Sequence, residues 1–269
     1  MRLGLGSYTY TWAVGVPGHA PARPLGAPDL VRRAAAAGLG CVQIADNLPL
    51  EALGDGERRD LRTLAAETAV AIEVGARGLT PDRLERYLDL AVFFHSPILR
   101  FVIDGPGHEP TVDEVVGVIA AALPRLRETG VRLAVENHDR LEAAEFREIV
   151  LRTDPEQVGI CLDSVNSMGA GEGTGEVVAT LAPHTLNLHV KDFVVERVSH
   201  KMGFVVTGRP AGQGMLRVPW LLEEVRKHGR CQSAILELWT PPADTIEATI
   251  EREAAWADES LRYLRPFFA

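Results

Sequence analysis

Residues 131–163 read VRLAVENHDRLEAAEFREIVLRTDPEQVGICLD and contain a strand, a helix and a second strand in succession. The runs Arg132–Glu136 and Val158–Leu162 each have the length and composition of a buried strand. Between them, Ala143–Arg152 repeats its apolar residues at helical spacing. Apolar strands joined through a helix indicate a parallel sheet that is covered by helices.

The same strand-and-helix unit recurs eight times, at a mean spacing of about 33 residues. The predicted strands are Leu3–Tyr8, Cys41–Ala45, Ala69–Val74, Ile98–Ile103, Arg132–Glu136, Val158–Leu162, Thr185–Val190 and Ala234–Leu238. The predicted helices are Pro28–Ala37, Arg58–Glu67, Pro81–Phe94, Thr111–Glu128, Ala143–Arg152, Gly175–Leu181, Pro219–His228 and Thr245–Leu264. This α/β pattern predicts a single (β/α)₈ TIM barrel domain over residues 1–269, with a doubly wound open sheet as the alternative.

Three connections are longer than the usual loop: Thr9–Ala27, Gly105–Pro110 and Lys191–Val218. Each follows a predicted strand, so all three belong to the end of the barrel where active sites are built.

The charge balance restricts the class of partner. The chain has 28 Lys and Arg against 37 Asp and Glu, a formal net charge of −9. This acidity disfavours nucleic acid and anionic membrane surfaces as partners, because both attract basic patches. Cys41, Cys161 and Cys231 are spaced as neither a disulfide framework nor a metal knuckle. With no signal-like start and no apolar run of about 18 residues, we expect a reducing, cytoplasmic location.

Four of the predicted strands end on residue types that bind metals: Glu136, Asp163, His189 and Glu237. In a barrel these side chains would point into one cup, where three carboxylates repel one another unless a cation lies between them. Oxygen-rich ligation with one imidazole favours Mn²⁺, with Mg²⁺, Co²⁺ or Zn²⁺ as alternatives. For any one of the four alone, a helix cap or an ion pair with arginine is the competing interpretation.

The motifs at these strand ends resemble the sugar phosphate isomerase/epimerase superfamily of xylose-isomerase-like TIM barrels. They are Val135–His138, Asp163 with Asn166, His189–Asp192, Gly212–Gly214 before Val218–Trp220, and Glu237. In the ketose 3-epimerase branch, the resemblance implies that Glu136, Asp163, His189 and Glu237 bind one divalent metal. It also implies that Glu136 and Glu237 are the catalytic acid/base pair, and that pairing into a homodimer is common.

Residues 7–12, 15–18, 43–47, 73–78 and 200–214 are similar to a narrower subgroup, the 3-oxo-isoapionate decarboxylases. Those enzymes are barrels that release CO₂ from a 3-oxo sugar acid.

Several side chains near the predicted strand ends are candidates for substrate binding. They are His138, Asn166, Lys191, Asp192, His200, Arg209, Tyr8 and Trp12. A substrate carboxylate or phosphate needs a cationic partner, for which Arg77, Arg100, Lys191, His200 and Arg209 are available. Arg209 lies between glycine and proline in a long loop, which makes it a candidate carboxylate clamp. A solvated loop arginine is the alternative interpretation of Arg209.

The function favoured by the sequence is metal-dependent chemistry through an enediolate, isomerising or epimerising a small ketose or keto sugar acid. Decarboxylation of a 3-oxo sugar acid on the same site is the first alternative, and a non-catalytic sugar-binding barrel is the second. The endonuclease branch of the same superfamily is disfavoured, because a trinuclear zinc site needs more histidines and a basic groove. A nicotinamide cofactor is disfavoured because the Gly-x-Gly-x-x-Gly fingerprint is missing.

Overall fold

Eight parallel strands close into a barrel in the order β1-β10-β7-β6-β5-β4-β3-β2. The computed structural model describes residues 1–268. The barrel strands are β1 (Arg2–Gly6), β2 (Cys41–Ile44), β3 (Ala71–Arg77), β4 (Ile98–Val102), β5 (Arg132–Glu136), β6 (Val158–Asp163), β7 (Thr185–Val190) and β10 (Ser233–Leu236). The predicted (β/α)₈ barrel is therefore confirmed, and the open sheet is excluded.

Helices surround the barrel at the predicted places. They are α2 (Ala27–Ala36), α3 (Asp55–Glu67), α4 (Pro81–Phe93), α5 (Val112–Thr129), α6 (Ala143–Arg152), α7 (Thr174–Leu181), α8 (Val218–Arg226) and α9 (Ile246–Leu264), with one additional turn, α1 (Thr11–Val14). The start of α5 is a capping box, in which the Thr111 hydroxyl accepts from the Glu114 N–H and Glu114 accepts from the Thr111 N–H. Its end is Gly130, at a φ of 69°.

The strand β3 differs from its predicted bounds in a way that matters for the site. The sequence predicts an end at Val74, before Gly75, whereas the strand continues to Arg77 because Val74–Arg77 pair with Leu99–Val102 of β4. A Cβ at position 75 would approach the Ala45 Cα to 3.1 Å, so glycine lets β3 pass close to β2 here. The extension carries the Arg77 side chain to the mouth of the barrel.

The long segment after β7 was expected to be a loop, and the structure corrects that expectation. It contains an antiparallel hairpin of β8 (Asp192–Arg197) and β9 (Phe204–Arg209). Asp192 anchors the segment that follows, because its carboxylate accepts the N–H groups of Gly212 (2.8 Å), Gly214 (3.0 Å) and Leu216 (2.9 Å). Within residues 1–268, no helix is long and apolar enough to cross a lipid bilayer.

A buried carboxyl group connects the last helix to the loop after β1. Glu253 of α9 accepts the N–H groups of Trp12 (2.9 Å) and Ala13 (3.1 Å), and its side chain has no exposed surface. Burial raises the pKa of Glu253 from 4.5 to about 7, although these hydrogen bonds act in the opposite direction. The folded protein therefore retains a proton that the unfolded chain has released at pH 5 to 6.

We expect the contribution of Glu253 to the free energy of unfolding to fall as the pH rises from 4.5 to about 7. Since the pKa of the group is higher in the folded state, its contribution is complete below pH 4.5 and is lost on the way to pH 7. In Glu253→Gln this loss should disappear. Between the two pKa values, the slopes of the unfolding free energy against pH should therefore differ between the variant and the wild type by up to about 1.4 kcal/mol per pH unit. Urea unfolding at several pH values measures it, with Glu251→Gln on the exposed face of α9 as the control. Parallel profiles for Glu253→Gln and the wild type would contradict the assignment.

Candidate functional site

The four predicted metal ligands converge at the mouth of the barrel. Nδ1 of His189 lies 3.6 Å from Glu136 Oε2, 3.6 Å from Asp163 Oδ2 and 3.4 Å from Glu237 Oε1. None of the four is more than 2% exposed. Two overlapping groups have ligand atoms within 4.8 Å of one another: Asp163, His189 and Glu237, and Glu136, Cys161 and His189. These side chains could therefore hold a metal ion.

Strand register explains why the ligands meet. Asp163 of β6 lies beside His189 of β7. Glu136 of β5 lies beside Cys161 of β6, and the N–H of Glu237 donates to the Val190 carbonyl (3.1 Å). Ligands that are distant in sequence therefore occupy neighbouring strand ends.

A hydrogen bond with Gln43 of β2 selects the tautomer of His189. Its Nε2 lies 2.7 Å from Oε1 of Gln43, an amide oxygen that can only accept. The amide of Gln43 is held in this orientation because its Nε2 donates to Asn187 Oδ1 (3.0 Å) and Glu73 Oε2 (3.3 Å). The proton of a neutral His189 therefore lies on Nε2, and the lone pair of Nδ1 faces the carboxylates.

The arrangement around His189 Nδ1 is chemically suited to a metal ion. That atom is buried and has no hydrogen-bond partner within residues 1–268. A lone pair that faces three carboxylates is repelled unless a cation, either a proton or a metal ion, lies between them. Burial alone would lower the pKa of His189, but the carboxylates of Glu237 and Glu136 raise it.

Two buried cationic side chains enter the same cluster. Nε of Arg100 donates to Glu136 Oε2, and its Nη1 donates to Asp46 Oδ1 (2.9 Å). Nζ of Lys191 lies 2.8 Å from Asp163 Oδ2 and 2.9 Å from Glu237 Oε2. Both are at most 6% exposed. Arg100, a candidate partner for the substrate, is therefore occupied by two carboxylates of the protein.

These cations set the protonation of the carboxylates. Burial alone would raise the pKa values of Glu136 and Asp163. The Arg100 guanidinium holds the pKa of Glu136 below its usual value, and the Lys191 ammonium does the same for Asp163. Asp163 and Glu237 in turn raise the pKa of Lys191. Glu136, Asp163, Arg100 and Lys191 are therefore ionised at neutral pH.

Asp46 organises the rim next to this cluster, and sequence reasoning did not select it. Its carboxylate binds Arg100, accepts from the Tyr8 hydroxyl (3.0 Å) and lies 3.3 Å from Nε of Arg77. Nη2 of Arg77 donates to Nε2 of His138 (2.9 Å). The position of Asp46 directly after the second predicted strand was the sequence feature that could have indicated a place at the mouth of the barrel.

The candidate substrate residues divide into two groups. Tyr8, His138, Asn166 and Lys191 lie at the cluster; Asn166 donates to Glu136 Oε1 (3.0 Å). Trp12 lies next to it and, with Tyr8 and Trp239, lines a groove of about 490 Å³.

Asp192, His200 and Arg209 belong to the hairpin segment instead. His200 is exposed in the turn between β8 and β9, and Arg209 is paired with Glu196 (2.9 Å). Asp192 is occupied by backbone N–H groups. A role of these three in substrate binding stays a prediction.

We expect Gln43→Leu to weaken binding of Mn²⁺ and Zn²⁺ by about 10- to 100-fold. Without the Gln43 carbonyl, the His189 Nε2–H loses its amide acceptor, and the tautomer whose Nδ1 is free for a metal is favoured less strongly. Calorimetric titration of protein treated with a chelator measures the affinity, and a thermal melt checks the fold. Gln213→Leu, at an exposed position, is the control. Unchanged affinity in Gln43→Leu would show that the amide does not position the imidazole.

Comparison with known proteins identifies the family to which this barrel belongs. A 3-oxo-isoapionate decarboxylase of Pectobacterium atrosepticum is 32% identical over 266 residues, which cover 98% of this chain and 95% of the relative. A solved D-psicose 3-epimerase, studied in the presence of D-fructose, superposes with a TM-score of 0.72 at 15% identity, covering 98% of this chain and 97% of that one.

A xylose isomerase-like TIM barrel protein of Mycobacterium smegmatis, solved in complex with magnesium, gives a TM-score of 0.69 at 15% identity, covering 98% and 97% of the two chains. At such identities the two solved structures demonstrate a shared fold alone. The family profile described as xylose isomerase-like TIM barrel matches residues 31–267. This chain is a member of the xylose isomerase-like TIM barrel family.

Proposed function

We propose that this protein decarboxylates a 3-oxo sugar acid, using one divalent metal held by Glu136, Asp163, His189 and Glu237. The decarboxylase relative, which aligns over nearly the whole chain, supports this choice over epimerisation. The observation that carries it is that both glutamates of the expected acid/base pair are ion-paired with buried cations.

Epimerisation beside a ketone needs one carboxylate to remove a proton from carbon and a second group to return it. A general base works best when its pKa is near the working pH. Arg100 holds the pKa of Glu136 below its usual value, and Glu237 lies 2.9 Å from the Lys191 ammonium. Glu136 is therefore poorly suited to removing a proton from carbon, and the Glu237 carboxylate is held by an ammonium, whereas decarboxylation does not require a carbon-bound proton to be removed.

The bond changes in the proposed reaction balance without a redox partner. The bond between the carboxylate carbon and C2 breaks, and its electron pair forms the C2–C3 double bond while the C3 oxygen becomes negative. CO₂ leaves, and C2 then takes up one proton that comes from solvent. A divalent metal, when bound, supplies Lewis-acid stabilisation for this developing negative charge.

The side chains contribute to the same charge shift. The Lys191 ammonium provides a fixed positive charge next to the predicted ligands, in a site from which water is largely excluded. Arg100 keeps Glu136 paired, so its negative charge opposes an incoming anion less strongly.

The charge count around the mouth favours an anionic substrate. The ion pairs made by the lysine and the two arginines here involve four carboxylates, of Asp46, Glu136, Asp163 and Glu237. They are paired with three cationic side chains, of Arg77, Arg100 and Lys191. A divalent metal with neutral His189 would leave one excess positive charge, which the carboxylate of a 3-oxo acid would neutralise.

Four further expectations accompany this proposal. Mn²⁺ is the metal that we expect in the site, because hard oxygen ligands outnumber the single nitrogen. We also expect a cytoplasmic location and a small sugar acid as the binding partner. A homodimer is the expected assembly.

We expect the Mn²⁺-loaded protein to release CO₂ from 3-oxo-isoapionate generated in situ, faster than the spontaneous reaction. In D₂O, one deuterium should enter the product at the carbon that lost CO₂, because that carbon takes its proton from solvent. The assay measures CO₂ and product deuteration by mass spectrometry, with D-psicose and D-fructose as parallel substrates. Deuterium uptake into recovered ketose, with no CO₂ from the 3-oxo acid, would establish an epimerase or isomerase instead.

Lys191→Met should lower kcat by about 100-fold, since it removes a preorganised positive charge from the reacting centre. Affinity for Mn²⁺ should be unchanged or higher, because a cation that competes for Asp163 and Glu237 is lost. Lys227→Met, which removes an exposed ammonium paired with Glu224, is the matched control. A kcat for Lys191→Met equal to that of the control would contradict the electrostatic role.

A further inference from the structure

We propose that Arg77 binds the carboxylate of the substrate, held in position by Asp46 and His138. The identity of the substrate as a 3-oxo acid rests on the proposed function. The assignment of Arg77 as the carboxylate-binding group rests on separate geometry at the rim of the barrel.

Arg77 is fixed at two points and keeps donors free. Its Nε lies 3.3 Å from Asp46 Oδ2, and its Nη2 donates to His138 Nε2 (2.9 Å). The side chain is 30% exposed at the end of β3. Within residues 1–268, its Nη1 makes no hydrogen bond, although a guanidinium offers five N–H groups.

The two partners of Arg77 are themselves held in place. Asp46 is fixed by Arg100 (2.9 Å) and by the Tyr8 hydroxyl (3.0 Å). His138 must accept at Nε2, because arginine has no acceptor, so its proton lies on Nδ1, 3.0 Å from Asp139 Oδ2. Because the guanidinium is anchored before a ligand arrives, little side-chain entropy is lost on binding.

Four other cationic side chains around the mouth are ion-paired with carboxylates of the protein. Arg100 is buried between Glu136 and Asp46, and Lys191 between Asp163 and Glu237. Arg140 makes a two-point ion pair with Asp104, at 3.0 and 2.6 Å. Arg209 donates to Glu196 and to the Thr207 hydroxyl on the hairpin. Unlike these four side chains, Arg77 combines partial exposure with a guanidinium nitrogen that makes no hydrogen bond within residues 1–268.

This placement predicts how Arg77 acts on the kinetics. The substrate carboxylate is charged in the bound ground state and loses that charge as CO₂ forms. An arginine that binds the carboxylate therefore stabilises the bound ground state more than the transition state. Arg77→Gln should raise KM for the 3-oxo acid about tenfold or more and leave kcat unchanged or higher.

A binding experiment tests the assignment without turnover. The acidic probe is 3,4-dihydroxybutanoate, which has the oxygen spacing of a 3-oxo acid but cannot lose CO₂. The neutral probe is 1,2,4-butanetriol, in which CH₂OH replaces the carboxylate. Calorimetry or ligand NMR on the Mn²⁺-loaded protein compares the wild type with Arg77→Gln, Arg77→Lys and the rim control Arg140→Gln.

We expect Arg77→Gln to raise Kd for the acid about tenfold or more, with Kd for the triol unchanged. The Kd of Arg77→Lys for the acid should lie between those of the wild type and Arg77→Gln, since lysine keeps the charge but lacks the planar guanidinium. Arg140→Gln should behave as the wild type.

Equal Kd values for the acid in the wild type and Arg77→Gln would overturn the assignment. So would equal weakening of both probes, which would indicate general damage to the site, or a wild type that does not prefer the acid. The proposed decarboxylation fails separately, if the wild type binds the acid through Arg77 but releases no CO₂ from the 3-oxo acid.

Discussion

Repulsion among buried carboxylates is the constraint on which the site depends. Glu136, Asp163 and Glu237 surround one imidazole nitrogen and are almost inaccessible to water. Burying an unpaired charge costs several kcal/mol, so each carboxylate must be close to a cation. Arg100 and Lys191 supply part of that charge, and a divalent metal would supply the rest. The protonation of the site and its fit to a metal both follow from this balance, and the proposed preference for an anionic ligand rests on it.

The geometry of the barrel brings these charged side chains together. Parallel strands end at one level, so residues from β5, β6, β7 and the end of β10 meet without any one of them being strained into place. A second layer then orients the first. Gln43 beneath His189 selects the tautomer, and Asp46 on the rim fixes both Arg77 and Arg100. The ion pairs of the two glutamates are also the basis for proposing decarboxylation over epimerisation.

Much of the fold was readable from local pattern. The helices from α2 to α9 lie within a few residues of their predicted bounds, because their apolar spacing and caps are local properties. The hairpin of β8 and β9 was missed, since a two-stranded arm with an exposed end has no buried run to signal it. The predicted end of β3 at Val74, before Gly75, is wrong. Pairing with β4 continues the strand through Gly75, although glycine disfavours strands locally.

The sequence by itself determined the barrel and the four residues that meet in its mouth, because strand ends of a (β/α)₈ barrel converge wherever they occur in the chain. Only the tertiary structure decided which cation pairs with which acid. Lys191 and Arg100 were candidate ligands for a substrate, yet they point inward to Asp163, Glu237 and Glu136. The physical reason is that ion pairing depends on distances of a few ångströms between side chains on different strands, and residue order does not encode those distances locally.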